Sequence, residues 1–227
     1  MRSIWRTLDR GLARDIGLVC LADCLVGVSY GAIAVSSGFP FWLPMLMSLL
    51  VFAGASQFMF IGIVAAGGNP FAAVLAGLLA NARHLPFGLA VGDIMGRGTL
   101  TRLVGAHLLI DESVAFAMAQ KEPARARAVF WFLGTCAFVM WNIGTILGAA
   151  AGQVIGDPDV FGLDAAFPAG LLALVLPSLK NARTRNAALL GAAVALAATP
   201  FLPAGIPVLL ALVGLAVLIP VPTTVAA

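Results

Sequence analysis

The chain has 227 residues, of which 61% are hydrophobic and only 10% are charged, and its formal net charge is +3. An average soluble domain carries about 25% charged residues. This composition therefore excludes an ordinary soluble enzyme, a nucleic-acid-binding domain and a disordered chain. We predict an all-α polytopic membrane protein, a single membrane domain over residues 1–227 that contacts the lipid bilayer and has no nucleic acid partner.

Apolar runs along the chain predict about eight transmembrane helices, since a span needs about 20 apolar residues. The runs lack the alternation of barrel strands, which leaves helices as the spanning structure. We expect helix breaks near Gly54 and Pro86, and the fourth span is the weakest because it contains His107, Asp111 and Glu112. The predicted spans are 16–37, 42–66, 70–92, 100–119, 128–153, 163–179, 186–202 and 205–220.

Positive charges predict the orientation, because Lys and Arg are concentrated in cytoplasmic loops. Basic clusters precede the first span, precede the fifth at residues 121–127, and separate the sixth from the seventh at residues 180–185. With eight spans all three clusters lie on one side, which predicts that this side and both termini are cytoplasmic. Arg97 and Arg102 would then lie outside, so either the rule is violated locally or the third or fourth span does not fully cross.

A shift of the chain by 117 residues aligns Gly27 with Gly144 and Gly31 with Gly148. This match indicates two related halves, 16–119 and 128–220. Eight spans would make the repeat parallel, whereas seven would make it inverted. The spacing of these glycines predicts close packing of helices, with substrate contact through exposed backbone as the alternative.

Polar residues at bilayer depth indicate a cavity or a partner, because they are costly in lipid. Span one places Asp23 and Tyr30 on one face. In span two, Gly54-Ala55-Ser56-Gln57 can loosen the helix, and unwound backbone of this kind binds carboxylates, amines or ions in many transporters. The alternatives are an Asp23 that hydrogen-bonds a neighbouring helix and a regular second helix. The candidate substrate-binding residues are Asp23, Tyr30, Gly54, Ser56, Gln57 and Asn81.

A second polar set suits proton coupling. Asn81-Ala82-Arg83-His84 stands just before Pro86 in span three, and span four has His107 and Asp111 four residues apart. Histidine titrates near neutral pH, whereas arginine stays charged. One alternative is a permanent salt bridge from Arg83 to Asp93, Asp111 or Glu112. The other is a fourth segment that lies near the membrane–water interface, where its charges are hydrated. The candidate coupling residues are Arg83, His84, His107, Asp111 and Glu112.

The sequence contains none of the short motifs typical of hydrolases, zinc enzymes or nucleotide-binding proteins. Cys20, Cys24 and Cys136 also lack the spacing of a metal site. We therefore expect no enzymatic activity, no cofactor and no metal. A membrane-embedded scaffold or enzyme subunit without transport activity stays open as the alternative.

These motifs resemble the AzlC family, the large subunit of bacterial branched-chain amino acid exporters. The resemblance spans nearly the whole chain, but the second half matches mainly by hydropathy and length. The chain departs from the family pattern at Ile110, where threonine is usual, and at Leu25-Val26-Gly27, where the family has a Pro-Phe-Gly-like stretch. The residues that carry the resemblance are Ser48-Leu49-Leu50-Val51-Phe52-Ala53-Gly54-Ala55-Ser56-Gln57, Ala65-Ala66-Gly67-Gly68-Asn69-Pro70, Asn81-Ala82-Arg83-His84 and Asp111-Glu112.

This resemblance implies export of valine, leucine, isoleucine or analogues, driven by an ion gradient that we expect to be a proton gradient. It also implies a small AzlD-like membrane subunit as partner. The departure at Leu25-Val26-Gly27 leaves open which amino acid is carried, because this stretch could contact the substrate side chain.

Overall fold

The computed structural model describes residues 9–154, 172, 175–176 and 178–218. Within these residues all regular secondary structure is helical, as predicted. The sixth predicted span, 163–179, lies almost wholly outside them. The helices are α1 (Arg10–Ser36), α2 (Trp42–Leu50), α3 (Gly54–Ala65), α4 (Pro70–Asn81), α5 (His84–Met95), α6 (Thr99–His107), α7 (Asp111–Met118), α8 (Pro123–Val154), α9 (Ala182–Ala198) and α10 (Ile206–Leu210), with 3-10 turns at Ser178–Lys180 and Ala211–Leu218.

Two long helices, α1 with 27 residues and α8 with 32, form the centre of the fold. At a rise of 1.5 Å per residue they are about 40 and about 48 Å long, enough to cross a bilayer. Their amino ends are joined by an ion pair between Asp9 and Arg125. Asp9 also caps α1, and the Leu12 N–H and the Arg125 guanidinium hold the pKa of its carboxyl below the usual value.

α1 and α8 run parallel and in register, with backbone packed against backbone. The carbonyl oxygens of Cys24, Val28 and Ala32 on α1 lie against Gly144, Gly148 and Gly152 on α8, in the same ascending order. From the other side, a Cβ added at Gly27 would lie 2.7 Å from Trp141 O. The predicted close packing of these glycines is confirmed, and the alternative of a backbone exposed to substrate is wrong here because α8 fills the groove.

The predicted second span is folded into a hairpin. α2 begins just after the carboxyl end of α1 and reaches the middle of α8, where Ser48 Oγ donates to Asn142 Oδ1 at 2.9 Å. α3 then returns, so that the ring of Phe60 lies 6.5 Å from that of Phe39, which follows α1. Both ends of this segment lie on the side of the molecule where α1 ends.

The predicted fourth span is also a hairpin, and it enters from the side opposite to the α2–α3 hairpin. α6 begins just after Gly96, where an added Cβ would lie 2.8 Å from Arg127 Nη2, near the start of α8. The tip of the hairpin is Leu108, whose carbonyl oxygen lies 2.8 Å from the Cβ position of Gly134, about halfway up. α7 then returns and ends shortly before α8 begins.

The third predicted span is the bent pair α4 and α5. It begins next to the end of α3 and ends at Gly96, beside Arg127, so it runs the full distance between the two sides. The two helices differ in direction by 45° across Ala82 and Arg83. Pro86, which cannot donate a backbone hydrogen bond, accounts for the break at the position expected from the sequence.

By length and apolar composition, two of the described helices can cross a membrane, or three if the bent pair counts as one. These are α1, α8 and α4–α5. Eight continuous spans are therefore not found in the described part of the chain, because the second and fourth predicted spans are hairpins. The break predicted near Gly54 is present, since residues 51–53 are extended between α2 and α3.

Three apolar clusters hold the described elements together, and the third packs Ile63, Ala73 and Ala76 against Ala204 and Leu209. The other two join the central helices. The larger joins α1, α3 and α8 around residues such as Ile16, Phe58 and Leu133, and the smaller joins α5, α7 and α8 around Val91 and Phe130. The carboxyl-terminal helices attach elsewhere: Ala204 O, between α9 and α10, lies 2.7 Å from the Cβ position of Gly68, just before α4. α9 therefore ends on the side where α1 ends.

Candidate functional site

The first helix break, between α2 and α3, is filled by the side chain of Gln57. This residue is completely buried. Its Nε2 donates to the carbonyl oxygens of Met47 at 3.2 Å and Val51 at 2.5 Å. These carbonyls also accept from the backbone N–H groups of Val51 and Ala53, so Gln57 adds a second hydrogen bond to each at the end of α2. Its Oε1 accepts from Trp141 Nε1 at 3.1 Å. Because both amide N–H groups and the amide oxygen are used, Gln57 has a structural role in this conformation.

Trp141 packs directly on the same break. A Cβ added at Gly54 would lie 2.7 Å from Trp141 Cη2, so glycine makes room for the indole ring. Tyr30 stacks on Trp141 with ring centroids 6.0 Å apart, and its hydroxyl contacts Met47 Sδ at 3.7 Å. Tyr30 is fully buried, so this part of the predicted polar face of α1 is covered by protein side chains.

Ser56 connects the first break to the second. Its Oγ donates to Ala53 O at 2.9 Å and accepts from Asn81 Nδ2 at 3.2 Å. The helices approach closely here, since a Cβ at Gly77 would lie 3.1 Å from Ser56 Cβ. The helix is broken as predicted. Ser56 nevertheless bonds its own backbone and Gln57 bonds the neighbouring helix α8, as expected for the alternative of a regular second helix.

The second break, between α4 and α5, is connected by an ion pair to the third break, which lies between α6 and α7. Arg83 Nε lies 3.2 Å from Asp111 Oδ1, so the salt bridge foreseen as an alternative role for Arg83 is present. The two atoms lack hydrogen-bond geometry, which means that charge holds the pair. His84 Nδ1 lies 3.0 Å from Asn81 O and completes the turn.

The third break separates His107 from Asp111. α6 ends at His107 and α7 begins at Asp111, so the predicted pairing on one continuous helix is wrong. Ser113 stabilises the start of α7, because its Oγ accepts from Ile110 N–H at 3.0 Å and donates to Ile110 O at 2.9 Å. The ring of His107 instead packs against Phe138, with centroids 5.4 Å apart.

The Arg83–Asp111 pair belongs to a larger charged cluster. Glu112 lies close enough for its charge to act with those of Asp111 and Arg83, and Asp23 on α1 lies close enough to Glu112 for the same effect. Asp23 Oδ2 is buried and has no hydrogen-bond partner among the described residues. We name these four residues the charged cluster. It contains one cation and three carboxyl groups, and it joins α1 to the second and third breaks.

A cavity of about 500 Å³ lies between α5 and α6. It extends from Asn81 and His84 at the second break to Asp93 and Arg102 near the start of α8. Asn81 Oδ1, at its inner end, is buried and has no hydrogen-bond partner within the described residues. The remaining lining residues are Leu85, Gly88, Leu89, Gly92, Met95, Ala106 and Leu109.

The structure brings together only part of the predicted site. Ser56, Gln57, Asn81, Arg83 and Asp111 form one connected set, and Asn81 and His84 reach the cavity. Sequence reasoning missed the roles of four other residues. For Trp141 the available signal was a tryptophan next to Asn142, and for Ser113 it was a serine two residues after Asp111. For Asp93 and Arg102 the signal was a charge at the end of a predicted span. The missed residues are Trp141, Ser113, Asp93 and Arg102.

Comparison with known proteins assigns the family. Residues 19–155 match the AzlC protein family. This stretch is more than half of the chain and contains most of α1, all of α2 to α8, all three breaks and the cavity. The chain belongs to the AzlC family. The match confirms the resemblance found in the sequence motifs, and it places the charged cluster within the part that defines the family.

Several curated relatives of this AzlC-family chain are membrane proteins. An uncharacterized membrane protein of Archaeoglobus fulgidus is 34% identical over 83% of each chain. The branched-chain amino acid transport protein AzlC of Bacillus subtilis is 29% identical over 73% of this chain and 66% of its own length. The inner membrane protein YgaZ of Escherichia coli is 29% identical over 74% and 72%. No solved structure is significantly similar to the chain.

Proposed function

We propose that this chain is the large subunit of a secondary transporter that exports valine, leucine, isoleucine or analogues from the bacterial cytoplasm, coupled to protons. The observation that carries the proposal is the joining of three helix breaks in the middle of the fold, by Ser56 with Asn81 and by Arg83 with Asp111. Broken helices expose backbone groups and can reorient at low cost, which is how many transporters build a binding site.

The helix directions support a specific membrane topology. We propose that α1, α4–α5 and α8 cross the bilayer, that the α2–α3 hairpin enters from outside, and that the α6–α7 hairpin enters from the cytoplasm. Since α1 and α8 are parallel, an odd number of crossings must separate them, and α4–α5 supplies one. Gly96 beside Arg127 then puts Arg97 and Arg102 on the same side as the other basic clusters, which removes the violation of the positive-inside rule.

The same topology limits the proposed repeat. α1 and α8, which align at a shift of 117 residues, lie parallel and in register, as the first spans of two parallel halves would. A shift of 117 residues aligns α9 with α4. α9 ends on the side where α4 begins, so these two helices run in opposite directions. We propose a relation between α1 and α8 alone. We also propose an inner-membrane location with both termini cytoplasmic, which requires an odd number of further crossings after α8.

For coupling, we propose that the charged cluster binds and releases the proton. When all groups are ionised, three carboxylates exceed one guanidinium, and such an excess is costly in a medium of low dielectric constant. Binding of a proton reduces this excess and weakens the attraction of Arg83 for Asp111. The two breaks that this pair joins can then move apart. His84 and His107 would pass the proton between the cluster and the two sides.

For the substrate, we propose that the breaks around Asp23, Ser56 and Asn81 hold the amino acid halfway across the membrane. Asp23 carries a buried oxygen without a hydrogen-bond partner, suited to an ammonium group. Gly54, Gln57 and Tyr30 shape this region and would contact substrate only after the breaks rearrange. A small AzlD-like membrane subunit completes the transporter.

Export from cells tests the proposed function. The chain, alone or with a small AzlD-like subunit, is produced in a strain that lacks branched-chain amino acid exporters and is loaded with a leucine-containing dipeptide. We expect faster release of leucine than from cells with the empty vector, and less release when a protonophore is added. Release equal to the empty vector under both conditions would refute the proposal.

A further inference from the structure

Two opposite charges face the cavity between α5 and α6 without neutralising each other. Asp93 and Arg102 both line it, and neither forms an ion pair with a described residue. Arg102 is held in place because its Nε donates to Gly96 O at 3.0 Å. One of its five guanidinium N–H groups is used by this bond, which leaves others for a ligand.

Between this charged end and the polar pair Asn81 and His84, the cavity wall is apolar, and bare helix backbone forms part of it. Leu85, Leu89 and Leu109 supply aliphatic surface. A Cβ added at Gly92 would have no atom within 4 Å, and one at Gly88 would meet only Leu109 Cδ1 at 3.9 Å. The two glycines therefore widen the cavity and are not required for helix packing. A volume of about 500 Å³ is in the range of small-molecule sites.

We propose that this cavity is the entry site for the amino acid, in which Arg102 binds the α-carboxylate and Asp93 binds the α-ammonium. The inference rests on the proposed export function and adds the residues that select the substrate. A ligand with one positive and one negative group matches two unpaired charges of opposite sign. The leucine-lined wall accepts an aliphatic side chain and gives no hydrogen bond to a polar one.

The position of the cavity fits entry from the cytoplasm. Its charged end lies near the start of α8, on the side that carries the basic clusters, and its inner end reaches Asn81 and His84 at the second break. Asn81 also hydrogen-bonds Ser56 at the first break. A substrate bound at Arg102 and Asp93 would therefore lie on the cytoplasmic side of the broken helices, next to the second break.

The test uses inverted membrane vesicles, in which the cytoplasmic side faces the medium, with the full chain and its small subunit. Uptake of labelled leucine is measured in competition with leucinamide, which lacks the carboxylate, and with 4-methyl-2-oxopentanoate, which lacks the ammonium. For the wild type we expect leucine to compete about 10- to 100-fold better than either analogue, because each lost contact involves a charge.

Three variants separate the two charges from a general effect. Arg102→Gln should raise the KM for leucine about 10- to 100-fold and remove the preference over leucinamide. Asp93→Asn should remove the preference over the oxo acid instead. Arg97→Gln is the matched control, since Arg97 is an exposed arginine near the same end of the cavity that does not line it, and it should behave as wild type.

A size variant tests the wall independently of charge. Gly92→Phe should reduce uptake of leucine more than that of alanine, whereas Gly92→Ala should leave both nearly unchanged. If the wild type takes up leucine but Arg102→Gln and Asp93→Asn keep its KM and preferences, the entry site is refuted and the export function stands. If the wild type takes up no branched-chain amino acid, the export function itself fails.

Discussion

Arg83 Nε lies 3.2 Å from Asp111 Oδ1, and this ion pair joins the break in the bent span α4–α5 to the tip region of the α6–α7 hairpin. The side chains are 38% and 21% exposed, so the pair is neither sealed in the core nor free in solvent. Removal of one partner from such a pair leaves an uncompensated charge next to Glu112. The pair is therefore suited to hold two mobile elements in one arrangement until its charge changes.

The proposed topology predicts which loops face which side. In a cysteine-free variant, single cysteines in place of Ser37, Ala66, Arg97 and Lys121 should fall into two groups. Ser37→Cys and Ala66→Cys should react with a membrane-impermeant maleimide in intact spheroplasts. Arg97→Cys and Lys121→Cys should react only in inverted vesicles. Eight simple spans would exchange the results for Ala66 and Arg97, and that outcome would contradict the two hairpins.

The register of α1 and α8 predicts a large effect of side chains at their interface. Gly148→Leu should destabilise the purified protein by about 1–3 kcal/mol or more, because Val28 O already occupies the position of an added Cβ. Gly17→Ala is the control, since a Cβ there would meet no atom within 4 Å. Thermal unfolding in detergent should separate the two variants, and equal stability would argue against backbone contact between the helices.

The role of Gln57 predicts that its loss acts through the break. Gln57→Ala should abolish export, since Trp141 Nε1 loses its partner and the carbonyls of Met47 and Val51 each lose a hydrogen bond across the break. Trp141→Phe, which loses only the indole N–H contact, should cost about 1–3 kcal/mol of stability. Export and unfolding are measured on both single variants and on the double variant. Additive losses would show that the two side chains act separately and would contradict this role.

The sequence alone predicts features that depend on local chemistry. Pro86 cannot continue the hydrogen bonding of a helix, and small residues before Ser56 weaken one, so both breaks could be placed. The glycine pattern around Gly27 and Gly144 likewise predicts close helix packing, because small residues on one helical face let backbones approach. The contact of these two glycine faces with each other is seen only in the structure. The Arg83 salt bridge followed from the cost of an unpaired charge in lipid.

The hairpins could not be predicted, because an apolar run of spanning length reads the same whether it is straight or folded back. The clue was the pair Arg97 and Arg102, whose charges disagreed with eight spans. His107 and Asp111 were placed on one face by spacing alone, but α6 ends at His107 and Ser113 caps the start of a separate helix. The role of Trp141 depends on a contact with Gln57 that is 84 residues distant in sequence.

Transport driven by an imposed pH gradient tests the central claim most directly. Wild-type chain, Asp111→Asn, Glu112→Gln and the control Asp15→Asn, an exposed carboxylate on α1 outside the charged cluster, are each reconstituted in liposomes with the small subunit. Uphill movement of labelled leucine is followed as the gradient is varied. We predict that wild type and Asp15→Asn accumulate leucine in proportion to the gradient, and that the two cluster variants only equilibrate it. Uphill transport by both cluster variants with unchanged dependence on pH would contradict the account.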